Sequence, residues 1–186
     1  MALVGLDNIY VAPLTKDDGT GVTYGTPVKI ANAIDAKITP SQDQQSIFAD
    51  DNVAEIITVF SQVDVEFTIA ELSNSIYKLL LGKTTNSQGV IIDKADDVAP
   101  YFAFGFRAKK SNGSYRHVWL YKGKFTLIEE GFQTQADKAD FTTQPIKGTF
   151  VKRANDGKYR ARVDSDDAGV TAGVITGWFT SVYNVN

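Results

Sequence analysis

From Ile57 to Ile69 the chain alternates with a period of two: Val59, Val63, Val65 and Phe67 oppose Thr58, Gln62, Asp64 and Glu66. Successive side chains of an extended strand point to opposite faces, so this series describes a sheet strand with one apolar and one wet, acidic face. The period then changes. In "TIAELSNSIYKLLLGK" the residues Ile69, Leu72, Ile76, Leu79 and Leu80 follow helical spacing. Thr68 and Glu71 have the spacing of a capping box, and Gly82 supplies a left-handed stop. A helix is predicted over 69–81.

Other segments repeat the strand pattern. Val28, Ile30, Ile34, Ala36 and Ile38 share one parity in a half-buried strand, or two joined by a bend at Asn32, expected to end at Pro40. "NIYVAPL" reads as a short strand stopping near Pro13. Phe102, Phe104 and Phe106 alternate before Asn112-Gly113, the strongest short hairpin signal, and "SYRHVWLYKGKF" returns. With a two-residue loop, Phe106 would face Trp119, Phe104 would face Tyr121, and His117 would lie opposite Ala108. A second hairpin is expected around Asp156-Gly157, and a helical stripe from Val170 to Val182 suggests a short C-terminal helix weakened by Gly169, Gly173 and Gly177. The fold class is therefore mainly β: an antiparallel sandwich or barrel of two sheets with one flanking helix. It forms a single domain over 1–186, with an N-terminal segment 1–14, a long inter-strand loop 41–55 and a C-terminal extension 168–186. A chain of 186 residues buries about 70% of its unfolded surface, enough for one core.

Composition removes several kinds of chemistry. There is no cysteine, hence no disulfide, thiolate ligand or cysteine nucleophile, and one histidine is too few for the usual histidine metal sites. No apolar run is long enough for a membrane helix, and the N-terminus lacks the basic region of a secretory signal, so cytoplasmic synthesis is the expectation. "LLLGKT" ends like a phosphate-binding loop but has Tyr77 where a glycine is needed, and follows a helix rather than a strand. "DSDDAG" suggests a calcium loop, yet Ile175 stands where the bidentate glutamate belongs. The pairs Asp50-Asp51, Asp96-Asp97 and Asp166-Asp167 lie in loop contexts. His117 has no acid nearby in sequence to orient it, so it reads as structural. Neither enzyme activity nor a cofactor is expected.

Charge is segregated. Between Ile38 and Tyr77 there is no Lys or Arg, whereas from Val98 to Ile128 there are Arg107, Lys109, Lys110, Arg116, Lys122 and Lys124 and no acid. Such blocks form surfaces of opposite sign, or surfaces that meet between copies of the chain. The basic hairpin with Tyr115 also admits nucleic-acid contact, which a pI near 5.1 disfavours.

Several ordered segments, "GLDNIYVAPLT", "YGTPVKIANAI", "FADD", "KADDVAPYFAFGF", "RHVWLYKGKF", "ADFTTQPIKGTFV" and "DGKYRARVD", resemble the major tail protein of phages with long non-contractile tails. The resemblance spans about residues 3–167 and rests on segment order rather than a chemical motif. It implies a structural virion protein, assembled in the host cytoplasm, whose hexameric rings stack into the tail tube. It further implies that the tube joins tape measure, tail terminator and distal tail proteins, and that DNA passes through without specific binding. The segment 41–55 would reach the next ring through Gln44, Gln45, Ile47, Phe48, Asp50 and Asp51. Asp64 and Glu66 would line the lumen, since carboxylates repel phosphates. The alternative of another class is a monomeric carbohydrate-binding module with Trp119, Tyr115 and Tyr121 as its platform.

Overall fold

The computed structural model describes residues 2–30, 33–49, 52–126, 128 and 144–184. Its elements are β1 (Leu3–Asp18), β2 (Gly21–Tyr24), β3 (Val28–Ile30), β4 (Ala33–Ala49), β5 (Asn52–Ile69), α1 (Asn74–Leu81), β6 (Thr84–Thr85), β7 (Ile91–Ile92), β8 (Phe102–Lys110), β9 (Tyr115–Phe125), β10 (Gln144–Val151), β11 (Arg160–Asp164) and α2 (Ala172–Gly177). The fold is mainly β and antiparallel. One large sheet runs β2-β1-β8-β9-β10-β5-β4, and β6 and β7 form a small separate pair. β3 pairs with β1, and β4, paired with β5 at the far end of the sheet, packs against β1, so the sheet curls round one interior as a barrel.

Alternation fills the interior. Phe67, Phe102, Phe104 and Phe150 are fully buried there with Val63, Val65 and Leu120. The rings of Phe67 and Phe104 stack at 5.2 Å, and Phe125 meets Phe150 edge-on at 5.7 Å. These offset and edge contacts are the arrangements the ring quadrupoles favour. The helix adds Leu80 and Leu81 to this cluster. It begins at Asn74, later than predicted, because Phe67 and Ile69 are held in β5 between β4 and β10. Thr68 and Glu71 therefore make no capping box. Ser73 is the cap, its Oγ accepting from Ile76 N at 3.4 Å, and Gly82 ends the helix in the left-handed region as expected.

The hairpin at Asn112-Gly113 forms, but with three loop residues. Lys110 N donates to Ser114 O at 2.8 Å, and Gly113 takes φ 86°, the left-handed position of such a turn. The register differs by one from the predicted one: Phe106 faces Val118, Phe104 faces Leu120 and His117 faces Arg107. The expected ladder of Phe106 on Trp119 and Phe104 on Tyr121 is not formed. Trp119 points to the other face and lies over Gly105, where a Cβ would stand 2.6 Å from the indole ring.

On that outer face Trp119, Tyr121, Ala12 and Ala103 form a second buried cluster, covered by Trp178 and Val182 of the C-terminal segment. Trp119 Nε1 donates to Trp178 O at 2.9 Å and the Tyr121 hydroxyl to Tyr183 O at 2.9 Å. Buried Arg153 donates to Asn184 Oδ1 at 2.8 Å and to Asp156, with its guanidinium 4.0 Å above the Tyr121 ring. The helix expected from 170 to 182 is only the short α2; Trp178 and Val182 are buried from the turns that follow it.

Three further strand expectations are corrected. β1 runs through Pro13, which pairs with Phe102, to Asp18. β4 continues through Pro40, opposite Val63, and covers 41–49; with β5 starting at Asn52, the predicted loop 41–55 is largely strand. Proline is tolerated there because β4 is hydrogen-bonded on one side only. β10 and β11 do not pair with each other around Asp156-Gly157; both lie on the same edge of β9, at Lys122–Phe125 and Arg116–Leu120. Asp17 pins the excursion between them, accepting from Lys122 Nζ at 2.6 Å and from the amides of Ala154 and Asn155.

Replacing Gly105 by alanine forces the Trp119 ring off its site and should lower stability by about 1–3 kcal/mol. Urea unfolding followed by tryptophan fluorescence checks this; an unchanged midpoint would mean that Trp119 has room to shift.

Candidate assembly surface

β5 pairs with β10 only from Val63 to Ile69, while its pairing with β4 continues from Ser41↔Gln62 out to Ala49↔Asn52. Residues 41–49 and 52–62 thus form a two-stranded arm beyond the barrel, about 27 Å long at ~3.4 Å per residue. At its base Phe60 stacks on Tyr159 at 4.3 Å. Beyond that base Ile56, Ile57 and Val59 are 60%, 44% and 57% exposed. Ile57 and Val59 share a face with Gln45 and Asp43, their cross-strand partners. An isolated two-stranded ribbon is marginal in water, and covering these three side chains would contribute about 3 kcal/mol. The arm has the form of an element completed by a partner.

Of the residues implicated by sequence, Gln44 and Gln45 are exposed on β4. Ile47 and Phe48 lie in the backbone of β4; their side chains, and Asp50 and Asp51 altogether, are outside the described residues. The apolar side chains of the other strand, Ile56, Ile57 and Val59, were missed. Their signal was present: the apolar run of 56–60 has no core to enter once Val63 begins the barrel.

Asp64 and Glu66 are on the outer face of β5, as their parity predicted. Asp64 accepts from Gln62 Nε2 at 3.0 Å and from Thr149 Oγ1 at 3.1 Å. Glu66 stands between Lys37 and Lys147 on the neighbouring strands. Lys37, Asp64, Glu66, Lys147 and Thr149 border a hollow of about 310 Å³. The acids of this face are thus accompanied by lysines.

The basic segment is engaged within the chain. Arg107 pairs with Asp7, Lys122 with Asp17, Arg116 with Asp164 at 2.6 Å, and Lys110 with Asp164 and Asp166 at 2.8 and 2.6 Å. Of its six cations Lys109 and Lys124 make no ion pair among the described residues, Lys124 lying over the Tyr101 ring and Lys109 being exposed. Arg116 and Lys110 also balance the carboxylates of Asp164, Asp166 and Asp167, which approach one another within 4.8 Å. The donors Arg116 and Lys110 hold the Asp164 carboxyl far below the usual range, and those of Lys110 and Asn112 hold Asp166 at about 2.

His117 is 3% exposed, packed edge-on to Trp178 at 6.0 Å and beside Phe179 at 5.9 Å. Burial, and then the charge of Arg107, keep its pKa below the ordinary value. Its Nδ1 has no partner. Trp119 and Tyr121, two of the three rings a carbohydrate platform would expose, are likewise buried. No protein-family model matches this chain, and no curated protein matches it.

The buried imidazole has a pH consequence. Its folded pKa is depressed, so its contribution is complete above the unfolded value of about 6.5 and is lost as pH falls below it, when only the unfolded chain takes the proton readily. Stability should fall between pH 7 and pH 5 by at most about 1 kcal/mol per unit, and His117→Phe should flatten that slope. Asp164 and Asp166 remain ionised throughout this range and do not contribute. Urea midpoints across the range check this; equal slopes in both proteins would place the effect elsewhere.

Proposed function

We propose that this chain is a structural subunit that assembles with copies of itself into hexameric rings stacked as a tube, the tail tube of a phage with a long non-contractile tail. The observation that carries the reading is the arm of residues 41–62, which leaves a complete barrel and holds Ile56, Ile57 and Val59 in water. A barrel whose core is filled by its own aromatics has no need of the arm for its stability. Contiguous exposed apolar side chains on such an arm mark a surface meant for a partner. The order of sequence segments resembling the tail proteins makes that partner a second copy.

Within this reading the arm bridges successive rings, and the outer face of β4, β5 and β10 lines the channel. Asp64 and Glu66 then stand there with Lys37 and Lys147, a mixed surface that gives passing DNA few uncompensated phosphate contacts. Tape measure, tail terminator and distal tail proteins would close the assembly at its axis and ends, and the virion is its place of action.

The test is assembly itself. Concentrated protein should form rings or tubes in negative-stain images and fast-sedimenting species. Replacing Ile56, Ile57 and Val59 together by serine should abolish them while the thermal midpoint stays within about 4 °C, since exposed substitutions change stability by only tenths of a kcal/mol each. A wild-type protein monomeric at every concentration and salt would count against the proposal, as would tubes formed by the triple variant.

A further inference from the structure

β11 has one edge that no strand covers. Tyr121 N donates to Tyr159 O at 3.0 Å and Ser165 N to Tyr115 O at 2.8 Å, so residues of odd number face β9. By antiparallel alternation the amides and carbonyls of Arg160 and Arg162 point the other way, and among the described residues nothing pairs with them. The same edge forms one wall of an open groove of about 600 Å³, whose other wall is Val170, Val174 and Trp178 of the C-terminal segment. Two kinds of unmet capacity converge there. Arg160 and Arg162 are exposed and make no ion pair among the described residues, unlike Arg107, Lys110, Arg116 and Lys122. The indole Nε1 of Trp178, though buried, has no acceptor among the described residues.

We propose that this edge is a strand-acceptor site and that its occupant is the arm of a second copy of the chain. The inference rests on the assembly reading and names the surface the arm meets. Strand addition takes affinity from main-chain hydrogen bonds to an open edge and specificity from the side chains beside it. The arm offers both complements. Among the described residues its two strand edges are unpaired, and Ile57 and Val59 are exposed to meet Val170, Val174 and Trp178. Its charge also fits, because residues 38–77 contain no Lys or Arg and Asp43 is exposed on the arm. In the basic hairpin expected from sequence to take that role, Arg107, Lys110, Arg116 and Lys122 are already paired within the chain; the arginines of β11 are not. Donor and acceptor are different surfaces, so the contact is head-to-tail and propagates into rings or filaments rather than closing as a dimer.

The absence of cysteine allows a direct test. Val59→Cys in one preparation is mixed with Ala161→Cys or Val163→Cys in another, which leaves both arginines in place, and the assembled mixture is oxidised. A bridged pair requires Cα atoms within about 7 Å. The expected result is a mixed disulfide as the major covalent product on a non-reducing gel, lost when Arg160→Glu and Arg162→Glu are added to the acceptor. Assemblies seen by microscopy without the mixed disulfide, or with only Val59→Cys homodimers, would overturn the acceptor site while leaving self-assembly standing. A mixture that stays monomeric would overturn both.

Discussion

β9 is the strand on which the other parts depend. One of its edges carries β8, and the other carries β10 and β11 in succession. Its two faces serve two cores: Val118, Leu120 and Phe125 enter the barrel, while Trp119 and Tyr121 hold the C-terminal segment outside it. The division is possible because Gly105 and Gly123, on β8 and β9, leave space for the Trp119 and Phe150 rings. Fixing β9 therefore fixes both the filling of the barrel and the position of the groove beside β11.

That arrangement also explains why the arm stands apart. β5 is bound on both sides only while it lies against β10, and β10 ends at Val151. Past this point the chain beside β9 makes its excursion through 152–159, and β5 continues with β4 alone. The barrel is closed by its own residues, so the apolar side chains of the arm are surplus to folding. They become useful only when a second surface covers them. In the proposed function, the link from sequence to assembly runs through this mismatch of strand lengths.

The barrel was legible where apolar side chains alternate into its interior: the series 63–69 and Phe102, Phe104 and Phe106 appear as read, whereas Ile57 and Val59, read as part of the first series, lie in water past the irregularity opposite Ser41 and Gln42. The arm was not, because a ribbon with both faces in water has no reason to alternate, and Gln, Ser and Asp in 41–55 then read as loop. Pro40 seemed a stop, since a sequence does not reveal that its strand lacks a second neighbour. The hairpin was found and its register missed by one, because "SNGS" serves a loop of two residues or of three. The charge blocks were visible, but not that Asp7, Asp17, Asp164 and Asp166, all distant in sequence, would claim the basic block. The free arginines at 160 and 162 carried no mark in the sequence beyond their alternation with Ala161 and Val163.

Hydrogen–deuterium exchange, compared between dilute monomer and concentrated assembly, addresses the central claim most directly. Protection follows the free energy of the opening that exposes each amide. The account predicts that β8, β9 and β10 are strongly protected in both states, whereas the amides of 52–62 exchange rapidly in the monomer and become protected on assembly. Equal exchange of 52–62 in both states, with assemblies present, would contradict it: the arm would then be a surface feature and not the element that joins the subunits.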